Sequence, residues 1–162
     1  MQKVLTAAAI GIALAGSSVV FAAPADAQSR ARSVSVQGAN GRGYVRQGSV
    51  TRQPGFRESS RSLQTNSGRG YDYDRSVNRG PGQASADRSL QTNSGRGISS
   101  SRDASWGNGS YSGGATHTTN SGTSWGRSTS VSTSGDGSYS ASVTHTTPDG
   151  STSSRSKTVT RD

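Results

Sequence analysis

A ten-residue block, RSLQTNSGRG, occupies residues 61–70 and returns unchanged at 88–97, a shift of 27. Farther on, residues 107–128 (GNGSYSGGATHTTNSGTSWGRS) return at 135–156 as GDGSYSASVTHTTPDGSTSSRS, a shift of 28. Self-similarity at a fixed period of this size marks an array in which each copy is one small supersecondary unit. Such arrays seldom gather an acid, a base and a nucleophile from distant segments, so the pattern points away from catalysis. Neither a Gly-x-Ser-x-Gly elbow in a triad framework nor a strand-to-helix phosphate loop accompanies the many serines and glycines.

The units open on Gly-rich turns at Gly41, Gly68, Gly95, Gly107 and Gly135, with Arg-Ser pairs at Arg61, Arg88, Arg127 and Arg155 as a second landmark. This alignment leaves the unit opening at Gly95 truncated. In the last two units the residues alternate as strands do: Tyr139, Ala141, Val143 and His145 share one face, Tyr111, Gly113, Ala115 and His117 repeat it, and Ser and Thr take the other. Pro148-Asp149-Gly150 and Asn120-Ser121-Gly122 read as three-residue hairpin loops, which places Tyr139 opposite Val159 and Tyr111 opposite Val131. Earlier, Gln53-Pro54-Gly55 and Gly80-Pro81-Gly82 are turn signals, but Arg and Gly break the flanking alternation.

Large apolar residues are few, and burial on that scale does not offset the ordering entropy of the chain. The expected fold is therefore a mostly disordered low-complexity repeat protein: a basic, largely disordered region at 28–102 and a neutral Ser/Thr/Gly-rich region at 103–162 with weak all-β hairpins. Residues 1–27 read as a cleaved secretory signal helix of bacterial type, with Lys3, an apolar run and small residues at Ala25-Asp26-Ala27. Cleavage before Gln28 would deliver the chain to the periplasm or the medium, with no membrane span left. The sequence contains no cysteine, so neither a disulfide framework nor a lipid-modified cysteine is expected.

The formal net charge of +9 is lodged in one half. Residues 28–102 hold thirteen Arg against Glu58, Asp72, Asp74 and Asp87, whereas Arg127, Arg155, Lys157 and Arg161 balance Asp103, Asp136, Asp149 and Asp162. Guanidinium forks bind phosphate, sulfate and carboxylate bidentately and stack on aromatic faces. Arg42, Arg46, Arg61, Arg69, Arg88 and Arg96 are accordingly the candidate polyanion-binding residues, with Tyr44, Tyr71 and Tyr73 as stacking residues. The Arg-Gly pairs with interleaved Tyr resemble RGG-type segments, a resemblance that implies single-stranded nucleic acid binding. Export favours acidic polysaccharide, lipopolysaccharide or extracellular DNA at the cell envelope instead.

Other readings concern smaller sets of residues. His117 and His145 sit in matching THTT segments, but two imidazoles without Cys or a regular carboxylate do not close a tetrahedral metal site, and no cofactor is expected. Thr116, Thr118, Thr144 and Thr146 resemble the hydroxyl arrays of ice- or carbohydrate-binding β-proteins. A structural, self-assembling surface protein that pairs through open strand edges is the remaining alternative.

Overall fold

The computed structural model describes residues 27–134 and 136–160. They form one sheet of ten antiparallel strands: β1 (Gln28–Gln37), β2 (Gly43–Gln53), β3 (Phe56–Thr65), β4 (Gly70–Gly80), β5 (Gln83–Thr92), β6 (Gly97–Gly107), β7 (Ser110–Thr119), β8 (Ser124–Thr133), β9 (Tyr139–Thr146) and β10 (Thr152–Val159). Strand order in the sheet equals order in the chain, so every connection is a hairpin and β1 and β10 are open edges. The predicted leader lies outside the described residues, apart from Ala27.

Two strands and two turns make one 27-residue unit, with two-residue turns on one edge of the strands, except for a longer connection between β8 and β9, and longer loops on the other. Pro54-Gly55, Pro81-Gly82 and Asn108-Gly109 are two-residue turns on one edge. Longer loops on the other edge carry Gly41, Gly68, Gly95, Gly122 and Gly150. The period of 27 thus runs unbroken from Gly41 to Gly122 and lengthens to 28 only at Gly150. The expected truncated unit at Gly95 does not exist: the openings at Gly95 and Gly107 belong to opposite edges, half a unit apart.

The repeated block is explained by the loop it builds. The N–H of Thr65, Thr92, Thr119 and Thr147 donates to the carbonyl four residues on at 2.8–2.9 Å, and that of Gly68, Gly95, Gly122 and Gly150 returns to the same Thr carbonyl at 2.9–3.0 Å. Each of these glycines holds a left-handed φ between 79° and 87°, the conformation a bulged hairpin loop demands. The side chains of Asn66, Asn93 and Asn120 then reach back one unit and donate to the carbonyls of Gly41, Gly68 and Gly95 at 3.0–3.1 Å. Their backbone N–H groups donate to Gly43, Gly70 and Gly97. In the next unit the equivalent residue is Pro148, which has no N–H to give, and the ladder of loops ends there. Asp149 takes over locally: bonds from the Thr147 hydroxyl and the Ser151 N–H hold its carboxyl below the usual range, and the Ser138 N–H does the same for Asp136.

The hairpins expected after Trp106 form with the expected register, Tyr111 opposite Val131 and Tyr139 opposite Val159. The disorder expected for 28–102 is not what the structure shows: β1–β6 occupy that segment, continuous with the rest, and the charge boundary at 102/103 falls inside β6. No apolar side chain is buried among the described residues, and Trp106 is 48% exposed. Order here rests on the backbone ladder and on cross-strand pairs in a single layer, not on a core.

Candidate functional site: a cationic face

In an antiparallel sheet, paired residues point to one face and each strand alternates faces residue by residue. All nine strand pairings run without a bulge, so the faces are read directly from the register. One face carries Arg30 and Arg32 of β1, Arg46 and Arg52 of β2, Arg57 and Arg61 of β3, Arg75 and Arg79 of β4, Arg88 of β5 and Arg102 of β6. It continues through Arg127 of β8 to Arg155 and Lys157 of β10. All thirteen are exposed. The strand acids Glu58, Asp72, Asp74, Asp87 and Asp103 all point to the opposite face. Every strand cation among the described residues therefore shares a face that holds no strand carboxylate.

Like charges meet head-on across this face: Arg52 pairs with Arg57, and Arg75 with Arg88. Directly opposed like charges destabilise a sheet, and an anion between them would relieve the repulsion. Aromatic and aliphatic side chains fill the same parity. Tyr44 lies between Val36 and Thr65, Tyr71 between Leu63 and Thr92, and Tyr73 between Arg61 and Leu90. A hollow of about 470 Å³ has Arg57, Arg61, Tyr73, Arg75, Val77 and Arg79 of this side in its lining.

One row of the face is knit together by side chains. Arg88 Nη2 donates to Ser100 Oγ at 3.4 Å, Ser100 Oγ lies 2.7 Å from His117 Nδ1, and the His117 ring stacks on Trp125 with centroids 5.4 Å apart. Ser100 is 7% exposed. A Ser–His contact invites comparison with a nucleophile and its base, but no strand carboxylate lies on this face to orient the imidazole. The row fixes Arg88 and links the basic strands to the aromatic ones.

Of the six Arg singled out from sequence, Arg46, Arg61 and Arg88 lie on this face with all three Tyr. Arg42, Arg69 and Arg96 lie instead in the long loops, one per unit along one edge. The sequence reading missed Arg30, Arg32, Arg52, Arg57, Arg75, Arg79 and Arg102 as site residues, along with the three cations of β8 and β10. Their signal was parity: each shares the odd or even positions of its strand with the apolar residues. His117 and His145 point to this face from β7 and β9 but pair with Trp125 and Arg127 respectively. Among the described residues no group of three or more His, Cys, Asp or Glu is placed to hold a metal.

The opposite face is mainly polar, with Ala31, Val45 and Phe56 as its apolar residues on β1–β3. Over β7–β10 it consists of Ser, Thr and Gly alone, including Thr116, Thr118, Thr144 and Thr146. Hydroxyls pair across it at 2.8 Å in Thr118–Ser124, Ser130–Ser142 and Thr144–Ser154. The class is that of a single-layer antiparallel repeat sheet with chemically opposite faces. No family model, curated protein or solved structure matches the chain.

Proposed function

We propose that this protein is an exported, non-enzymatic repeat protein that docks polyanionic polymers, acidic polysaccharide, lipopolysaccharide or extracellular DNA, on the cationic face of its sheet. The observation that supports the reading is the segregation itself: thirteen cations on one face, two Arg pairs directly opposed, and no strand carboxylate beside them. Adjacent strands stand about 4.8 Å apart and same-face residues about 6.7 Å apart along a strand. A grid on that scale offers guanidinium forks at spacings a flexible anionic chain can follow, and the interleaved Tyr rings suit sugar or base faces. The alternative of growth through strand edges has an obstacle in Arg30 and Arg32 on β1 and Arg155 and Lys157 on β10, which put like charge on both open edges.

Binding of duplex DNA or a sulfated polysaccharide should fall roughly 10³-fold or more between about 50 and 200 mM salt if six or more phosphates or sulfates are neutralised. Two charge-matched variants localise the site. Arg46→Gln/Arg61→Gln/Arg88→Gln removes three cations from the face and should flatten the plot of log affinity against log salt by about 0.9 for each anionic group left unneutralised. Arg42→Gln/Arg69→Gln/Arg96→Gln removes three from the loops and should change it less. Equal weakening in both triple variants, or equal binding of a neutral dextran, would rule the reading out.

A further inference from the structure

The strand acids are not scattered. Four of the five stand next to an Arg in sequence: Arg57-Glu58 on β3, Asp74-Arg75 on β4, Asp87-Arg88 on β5 and Arg102-Asp103 on β6. Because successive residues of a strand point to opposite faces, each dipeptide puts a cation on one side of the sheet and an anion directly behind it on the other. Four consecutive strands, β3 to β6, carry such a pair. Glu58 and Asp87 lie in one row with Ser76 between them, and Asp74 lies in the adjoining row. These three acids line a hollow of about 370 Å³ on the polar face, backed by the Arg side of the same strands.

We infer that a second copy of this chain stacks on the first by translation along the sheet normal, the acidic patch of β3–β6 in one copy seated on the basic patch of β3–β6 in the next. Three observations carry the choice of partner. The sheet is a single layer with no buried apolar side chain among the described residues, whereas stable domains close two layers on one another. The two self-facing arrangements are disfavoured, since one would oppose thirteen cations to thirteen and the other five acids to five. Back-to-back placement of the charges lets one translation bring all four pairs together. Packed sheets sit about 10 Å apart, a gap that an extended Arg and a facing Asp or Glu together span. The same translation lays the Ser/Thr/Gly face of β7–β10 over Tyr111 and Tyr139 of the neighbour, side chains that are 37–40% exposed in the single sheet. Such an interface is heterologous and does not close, so copies add without limit.

Sedimentation of the protein across concentration at low salt tests this. The wild type should form open-ended species that dissociate as salt rises. Glu58→Gln/Asp74→Asn/Asp87→Asn/Asp103→Asn should raise the concentration needed for assembly roughly tenfold or more, while polyanion binding stays at least as strong, because the cationic face is untouched. A variant with all four dipeptides inverted, Arg57→Glu/Glu58→Arg, Asp74→Arg/Arg75→Asp, Asp87→Arg/Arg88→Asp and Arg102→Asp/Asp103→Arg, swaps the charges of these four pairs between the faces and should assemble again; far-UV circular dichroism checks that each variant keeps its strands. A wild type that stays monomeric, one that stops at a closed dimer, or a neutralised variant that assembles as the wild type does would overturn the stacking. Failure of the unassembled wild type, below the concentration at which it stacks, to bind a polyanion would instead overturn the proposed function and leave the stacking intact.

Discussion

Replacing Gly97 with Thr should lower the stability of the sheet by about 1–3 kcal/mol, the usual range for forcing extra atoms into a close approach. Gly97 opens β6 beneath the loop of the following unit. A Cβ there would stand 2.7 Å from the Leu90 carbonyl and 2.7 Å from Asn120 Oδ1, besides meeting the Gln91 side chain. Its own carbonyl accepts the Asn120 N–H at 3.1 Å, so relief of the clash comes at the expense of the loop ladder. Gly43 and Gly70 hold the same place under Asn66 and Asn93, but the next equivalent is Ser124, above which the chain has Pro148 and no Asn. Ser124→Thr, which keeps a hydroxyl for Thr118, is therefore the control and should shift stability by less than about 0.5 kcal/mol. Urea unfolding followed by circular dichroism compares the two. In a quasi-one-dimensional array each unit leans on its neighbours, so Gly97→Thr should also split the transition, with β1–β5 separating from β6–β10. Equal midpoints for the two variants would show that the loop stacking does not bear on stability.

The opposed Arg pairs lead to effects of opposite sign on two measurements. Arg52→Thr/Arg88→Thr removes both head-on repulsions and places β-branched residues on strands, so the free sheet should gain about 0.2–1 kcal/mol for each pair relieved. The same variant should bind a polyanion more weakly, with a salt dependence shallower by up to about 0.9 for each Arg that no longer neutralises a phosphate or sulfate. A protein that becomes more stable while losing its ligand is the mark of charges retained for binding. If stability falls along with binding, these Arg hold the sheet together and the electrostatic reading of the face is wrong.

Half of this architecture was legible from the sequence, and the reason is the parity of arginine. After Trp106 the alternation is written in unambiguous letters, with Tyr, Ala, Val and His against Ser and Thr, and the register of both hairpins follows from it. Before Arg102 the same alternation is written with Arg in the apolar positions, as in Arg57, Ser59, Arg61 and Leu63 against Glu58, Ser60, Ser62 and Gln64. Read on a hydropathy scale, Arg counts with Ser and Glu, so the period of two disappears and the segment looks disordered. Arg has a long apolar stem beneath its charge and lies along a sheet surface as a Leu or Val does, which is how the fold uses it here. Pro54-Gly55 and Pro81-Gly82 are turn signals in the sequence, but the strands they join are defined only by that parity. The unit length was blurred for a related reason: Gly-rich turns mark both edges of the sheet, and nothing in Gly95 or Gly107 alone says which edge each belongs to. The acidic partners of Arg57, Arg75, Arg88 and Arg102 were in plain sight as dipeptides, but their meaning depends on the strand that sends neighbours to opposite faces.

The cationic face exists only if residues 43–107 are paired strands, and amide hydrogen exchange on the purified protein addresses that point most directly. Slow exchange is expected across β2–β6, continuous with β7 and β8, with β1 and β10 faster because one side of each edge strand has no partner in the sheet. Exchange at unprotected rates throughout 43–107, with protection confined to residues after 107, would contradict the single sheet and the one-sided charge that depends on it.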